Sequence, residues 1–155
     1  MDKDFIMTAT LRLASPSDID LLFDIRTSVQ QNHLSREQMQ AMGITPAAIG
    51  DAIRAAPCVW IAELQGEAAG FAMVDIDDGE LFALFVRPHL EGKGVGRLLL
   101  QQAEESLFQR HETIHLTTDA DEAMRAVGFY RRHGWAWAGA VDDRDARFEK
   151  RRVTR

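Results

Sequence analysis

The segment Leu81–Arg97 leaves the fewest folds open. Leu81-Phe82-Ala83-Leu84-Phe85-Val86 is apolar on both faces, which predicts a strand inside a sheet with cover on each side. Arg87-Pro88 closes it, and Gly92, Gly94 and Gly96 follow within five residues. Val95, Leu99, Ala103 and Leu107 then recur at helical spacing, which predicts a helix running to about Arg110. A buried strand feeding an amphipathic helix through a glycine-rich loop belongs to a mixed α/β domain.

The flanking sequence agrees. Thr10 to Ala14 alternates like a short strand, and Ser15-Pro16-Ser17-Asp18 reads as an N-cap, a first-turn proline and a capping-box carboxylate. Leu22, Ile25 and Val29 then share one helical face. Ser35-Arg36-Glu37-Gln38 opens a second helix that Gly43 can close, and Thr45-Pro46 opens a third that ends before Pro57. Val59–Leu64, Ala69–Ile76 and Leu81–Val86 read as an antiparallel meander, with turns at Gln65-Gly66-Glu67 and Asp77-Asp78-Gly79. Ile114–Thr118 is a further strand, and Asp119 with Glu122 is expected to cap a helix ending near Gly134. Trp135–Val141 and Ala146–Val153 complete the set as two strands around Asp142-Asp143-Arg144-Asp145. The sequence holds no repeat, low-complexity tract or linker, so one domain over residues 1–155 is expected.

A net charge of -6 argues against non-specific nucleic-acid binding, which needs a basic face, and Arg151, Arg152 and Arg155 read as a solvated tail. The single cysteine, Cys58, sits in an apolar run and is expected to be a buried thiol. Met1–Phe5 lacks the pattern of a signal peptide, and no apolar run approaches the ~20 residues that span a bilayer. These features predict a cytoplasmic protein without a membrane partner. His89, His111, His115 and His133 show no metal-ligand spacing, so no metal is expected and they read as surface or structural.

The glycine-rich loop suits a phosphate. Glycines let backbone approach a ligand, a helix start offers unpaired N–H groups and partial positive charge, and Lys93 and Arg97 can add charge at the rim. A Walker A string does not occur, and Gly92-x-Gly94-x-Gly96 lacks the dinucleotide fingerprint's spacing. A glycine-rich turn that binds nothing is the bland alternative.

The loop resembles that of the GCN5-related N-acetyltransferase (GNAT) superfamily, in which Gln/Arg-x-x-Gly-x-Gly/Ala follows a strand ending in Val-x-Pro. Val86-Arg87-Pro88, Gly94 and Gly96 match, while Glu91 stands at the first motif position, with its side chain expected to point away from the ligand. Ala126-Val127-Gly128-Phe129-Tyr130-Arg131-Arg132-His133-Gly134-Trp135 is similar to the family's Ala-x-x-Phe-Tyr-x-x-x-Gly-Phe. An asparagine that often precedes that tyrosine by seven residues is Ala123 here. The resemblance spans roughly Thr10 to Lys150. It implies an α/β fold with a mixed, mostly antiparallel central sheet and helices on both faces. It also implies acetyl-coenzyme A as cosubstrate, lying where Leu81–Val86 and Ile114–Thr118 splay apart. Backbone of Leu84, Phe85 and Val86 would pair with the pantetheine arm. The segment Glu91, Gly92, Lys93, Gly94, Val95, Gly96 and Arg97 would hold the pyrophosphate, and Tyr130 would stand by the thioester sulfur.

The chemistry sets further demands. An alkyl amine of pKa ~10.4 must lose a proton before attacking a thioester, the oxyanion needs a donor, and the departing thiolate needs an acid. Tyr130 is the only tyrosine, so it is the candidate acid; the alternative is a core tyrosine on an amphipathic helix. Relatives often carry an acid in the strand before the loop, where Phe82 and Ala83 stand here. Glu80, acting through water, is the candidate base, with His33 and Glu37 as further candidates in the region expected to cover the acceptor. The expected function is an N-acetyltransferase acting on a primary amine that the sequence does not identify. The alternatives are a coenzyme A-binding module without turnover and a nucleotide-binding protein. A homodimer through the C-terminal strands also fits.

Overall fold

A computed structural model of the chain describes residues 8–31, 33–121 and 124–153. Met1–Phe5, Glu122, Ala123 and Arg155, named above, lie outside them. The strands are β1 (Ala9–Leu13), β2 (Val59–Leu64), β3 (Glu67–Asp75), β4 (Glu80–Val86), β5 (Thr113–Asp119), β6 (Ala136–Ala140) and β7 (Asp145–Arg151). The helices are α1 (Ile19–Ser28), α2 (Arg36–Ala41), α3 (Pro46–Ala55), α4 (Val95–Phe108) and α5 (Arg125–Arg132). Hydrogen bonding orders the strands β1-β2-β3-β4-β5-β7-β6 in a seven-stranded sheet. Neighbours β1–β2, β2–β3, β5–β7 and β6–β7 are antiparallel, and β4–β5 is parallel. The fold is mixed α/β with a mostly antiparallel sheet.

Local hydrogen bonds explain most element boundaries. The Ser15 N–H donates to Asp18 Oδ2 at 2.8 Å across a 3-10 turn, Pro16–Asp18, that leads into α1. Two hydrogen bonds from Arg12, at 2.8 and 2.9 Å, hold the Asp18 carboxyl down at about 2. At α2, Ser35 Oγ accepts from the Gln38 N–H and Gln38 Oε1 accepts from the Ser35 N–H, a complete capping box. Gly43, at φ +83°, ends that helix. Thr45 Oγ1 caps α3 by accepting from the Ala48 N–H at 3.1 Å. Gln65 and Gly66 both have positive φ and join β2 to β3 in a two-residue loop, as a type I′ hairpin requires.

Chain contacts divide the molecule into two compact units, each built from two stretches: Met1–Met73 with Ala83–Gln101, and Val74–Phe82 with Gln102–Arg155. In the first, α1 meets α3, and Leu22, Ile25, Met39, Ile61, Leu64, Val95 and Leu99 are buried. Cys58 is buried there too, its Sγ 3.5 Å from the Ala52 carbonyl oxygen. In the second, α5 meets β5, and Ala103, Leu107, Ile114, Leu116, Val127 and Phe148 are buried. Val95, Leu99, Ala103 and Leu107 are each at most 1% exposed, so the four-residue repeat marks the buried face of α4. Among the described residues, no helix is long and apolar enough to cross a membrane.

Two expectations need correction. β4 is the fourth of seven strands, yet it is not covered on both sides: Phe82 is 44% exposed and Ala83–Val86 are half-buried. Apolar side chains report what a strand prefers to touch, not whether protein lies there to be touched. The helix after β5 starts at Arg125, with Met124 at its N-cap, not from an Asp119 cap. The Asp119 carboxylate instead accepts from the Asp121 N–H at 2.8 Å, which closes a local turn.

Gly70 fixes the approach of β3 to the end of β4. A Cβ there would lie 2.5 Å from the Phe85 carbonyl oxygen and 3.2 Å from Val86 Cα, both backbone atoms that cannot swing aside. Gly70→Ala should therefore destabilise the protein by about 1–3 kcal/mol, the usual range for overpacking. Urea unfolding checks this, and an unchanged midpoint would show that β4 yields freely.

Candidate functional site

The first unit contains the end of β4, the loop and the start of α4. Arg87 anchors the exit from β4: its N–H donates to the Ala69 carbonyl and its Nε to the Ala68 carbonyl, both at 2.8 Å, and Nη2 donates to Asp24 Oδ2 at 2.9 Å. A 3-10 turn over Pro88–Leu90 follows, and the Glu91 N–H donates to the Pro88 carbonyl at 3.4 Å. Glu91 is half-buried, whereas Gly92, Lys93, Gly94 and Arg97 are exposed and Gly96 is half-buried. Gly92 and Gly94 have φ of +77° and +85°, a region that side chains disfavour, and added Cβ atoms would meet no protein within 4 Å. The Leu98 N–H donates to the Gly94 carbonyl at 3.1 Å, so Gly94 occupies the N-cap position of α4 without a side chain to cap it. At that end the N–H groups of Val95, Gly96 and Arg97 have no acceptor in a preceding turn of the helix and lie at the positive end of the helix dipole. The junction can take an anion through backbone alone.

Beside it, Leu84, Phe85 and Val86 are half-buried. The Phe85 ring lies 5.8 Å from Phe71, and the Arg26 guanidinium sits 4.1 Å above its centre. Arg26 is 9% exposed, and burial lowers its proton affinity. His33 and Glu37, the candidate acceptor-binding residues, are both exposed. His33 Nδ1 lies 2.9 Å from the Val29 carbonyl, Glu37 stands in the first turn of α2, and no hydrogen bond joins the two among the described residues.

The second unit contains Tyr130 and Glu80. Tyr130, on the buried face of α5, is 7% exposed and packs edge-on against Phe129 at 5.4 Å and Trp135 at 5.9 Å. Trp135 Nε1 donates to Glu104 at 3.0 Å, and Lys150 Nζ donates to Glu104 at 2.7 Å and to the His133 carbonyl at 2.8 Å. This network fixes the aromatic wall behind Tyr130. Burial pushes the phenol's pKa well up, so the hydroxyl keeps its proton throughout the physiological range.

Glu80 is half-buried and pairs with His115 across β4 and β5, where the His115 N–H donates to the Gly79 carbonyl at 3.0 Å. His115 Nε2 lies 3.2 Å from Asp78 Oδ2. The carboxylates of Asp78 and Glu80 and the His115 imidazole have atoms within 4.8 Å of one another. Burial raises the Glu80 pKa first of all; His115 opposes this, Asp78 and Asp75 add to it, and Arg147 opposes it. Sequence spacing misses this cluster, because strand register brings His115 to Glu80. Gly70, Arg26 and Arg87 were likewise invisible, since each acts through a non-local contact.

The chain matches the Acetyltransferase (GNAT) family over residues 20–135. It is 34% identical over 81 residues to an uncharacterised N-acetyltransferase of Archaeoglobus fulgidus, covering 46% of this chain and 55% of that one. A second relative, the uncharacterised protein YdhI of Bacillus subtilis, is 33% identical over 48% of this chain and 46% of its own. The chain thus spans about half the length of the curated relatives it matches. Among solved structures, the PaiA N-acetyltransferase of Thermoplasma acidophilum in complex with coenzyme A superposes with TM-score 0.76 and 18% identity, over 94% of this chain and 100% of that one. A GCN5-related N-acetyltransferase of Rhodopseudomonas palustris gives 0.73 and 21%, over 96% and 99%. Two motifs in the expected order, a match over three quarters of the residues and a shared fold place this chain in the GNAT acetyltransferase family.

Proposed function

We propose that this chain, acting as one domain over residues 1–155, transfers an acetyl group from acetyl-coenzyme A to a primary amine. The observation that carries the proposal is the junction of β4 with α4, where Gly92 and Gly94 in left-handed conformation lead into a helix whose N-cap residue is itself a glycine. Glu91, Gly92, Lys93, Gly94, Val95, Gly96 and Arg97 take the pyrophosphate, chiefly through backbone N–H groups. The half-buried backbone of Leu84, Phe85 and Val86 pairs with the pantetheine arm. The amine nitrogen attacks the thioester carbonyl carbon, and a backbone N–H of β4 stabilises the oxyanion. Collapse of the intermediate forms the amide and breaks the carbon–sulfur bond. Glu80 takes the first proton of the ammonium through water, which frees the amine to attack. Tyr130 protonates the departing thiolate and regains a proton from the nitrogen of the tetrahedral intermediate, so that it ends as the phenol that burial favours. His33 and Glu37 face the acceptor. A cytoplasmic location belongs to the same proposal.

The test is a screen of primary amines with acetyl-coenzyme A, reading released thiol. Turnover with at least one amine is expected; binding without turnover towards any of them would make the chain a coenzyme A-binding module, a role that Glu91 in the phosphate loop would suit. A pH series on the best amine adds a second check. With Glu80 acting only through water, kcat/KM should rise with pH towards the amine's own pKa, and Glu80→Gln should slow the reaction chiefly at low pH. A flat profile from about pH 6 to 9 for a lysine-like amine of pKa ~10.4 would require a different base.

A further inference from the structure

Resting on the reading of Glu80 as the base, we infer that His115, held by Asp78, is a positioning residue that sets when Glu80 carries a proton. β4 and β5 pair at Glu80↔His115, and residues paired across neighbouring strands present their side chains on one face. The His115 N–H to the Gly79 carbonyl fixes that register at 3.0 Å, so the imidazole is delivered to Glu80 by the backbone. Asp78, in the turn before β4, holds Nε2 at 3.2 Å, and the ring is 12% exposed against 62% for the Asp78 side chain. One end of the cluster meets water while Glu80 sits at its half-buried end.

The charges around Glu80 are unequal in kind. Asp75, at the end of β3, and Asp78, in the turn, favour its protonated form. Arg147, on β7, opposes them, but it also bonds to Glu149 at 2.9 Å, and Glu149 is the β7 partner of His115 in register. Arg147 acts through a guanidinium already paired to Glu149. The His115 side chain favours the Glu80 carboxylate; without it, Glu80 is left to Asp75, Asp78 and its own desolvation, and a proton from the amine is held more readily. A carboxylate serving only to brace the strand pair would gain nothing from two neighbouring carboxylates.

The experiment titrates the protein itself, so it does not depend on knowing the acceptor. Carboxyl-labelled glutamate is followed by NMR in the parent protein, His115→Gln, His115→Asn and Asp78→Asn. His115→Gln should raise the Glu80 midpoint by about one pH unit, the lower end of what an adjacent opposite charge produces. His115→Asn should raise it likewise, which keeps the test alive if His115→Gln fails to fold. Asp78→Asn should lower it, since that carboxylate favours the protonated form of Glu80. In kinetics with acetyl-coenzyme A and the best amine of the screen, the acid limb should move with the Glu80 midpoint. Midpoints unmoved by the partner's replacement overturn the inference, even if Glu80→Gln proves essential to turnover. Coupled midpoints with an unaltered acid limb overturn its role in the reaction. Coupled midpoints with full activity in Glu80→Gln would instead remove Glu80 as the base.

Discussion

Gly94→Val is expected to abolish the rise in melting temperature that acetyl-coenzyme A confers on the parent protein. A ligand at a hundred times its Kd stabilises the folded state by about 2.7 kcal/mol, which for a domain of this size is roughly 5–10 °C. A valine side chain at the N-cap of α4 would stand where the phosphate must approach the backbone. It also carries an intrinsic cost: at φ +85° a branched residue is strained by about 1–2 kcal/mol, although its Cβ would meet no protein atom within 4 Å. Gly43 supplies the control, with φ +83° and equally open surroundings away from the loop. Gly43→Val should lower the melting temperature similarly and keep the full response to acetyl-coenzyme A. A full response in Gly94→Val would remove the phosphate cradle from the proposal.

Tyr130→Phe should reduce turnover by about 10²-fold, a typical contribution of acid catalysis, and leave acetyl-coenzyme A binding intact. The ring keeps its edge contacts to Phe129 and Trp135, so only the hydroxyl is lost. Because burial keeps that hydroxyl protonated throughout the physiological range, Tyr130 should add no limb to the pH profile of the parent enzyme. Single-turnover kinetics with saturating acetyl-coenzyme A separate the chemical step from binding. Unchanged turnover in this variant would return Tyr130 to the core.

Features controlled by neighbours in sequence were legible. The capping boxes at Ser15 and Ser35, the Thr45 cap and the glycine that ends α2 rest on bonds spanning three or four residues, so residue type nearly determines them. The buried face of α4 followed from spacing alone. Asp119 misled because one side chain can cap a helix or close a turn, and the helix start three residues beyond the turn decided which. The strand order was illegible for a different reason. β7 lies between β5 and β6, and the sequence shows that two late strands form a hairpin but not which of them joins the sheet. The candidate site divides in the same way: the loop glycines and Tyr130 announce themselves by motif, while the pairing of Glu80 with His115 appears only once the strands are in register.

The interleaving of the two compact units bears on how the chain must emerge and fold. The first unit opens at the N-terminus but still lacks Ala83–Gln101 when Met73 has been made, and the intervening Val74–Phe82 belongs to the other unit. The second unit waits in turn for β7, which closes against β5 near the C-terminus. During synthesis, the first unit can finish only at Gln101, after Val74–Phe82 of the second has been made, and the second only once β7 has been translated. Closure of the second unit is therefore late and long-range, and a stop codon between Gln101 and β7 leaves only the first unit complete.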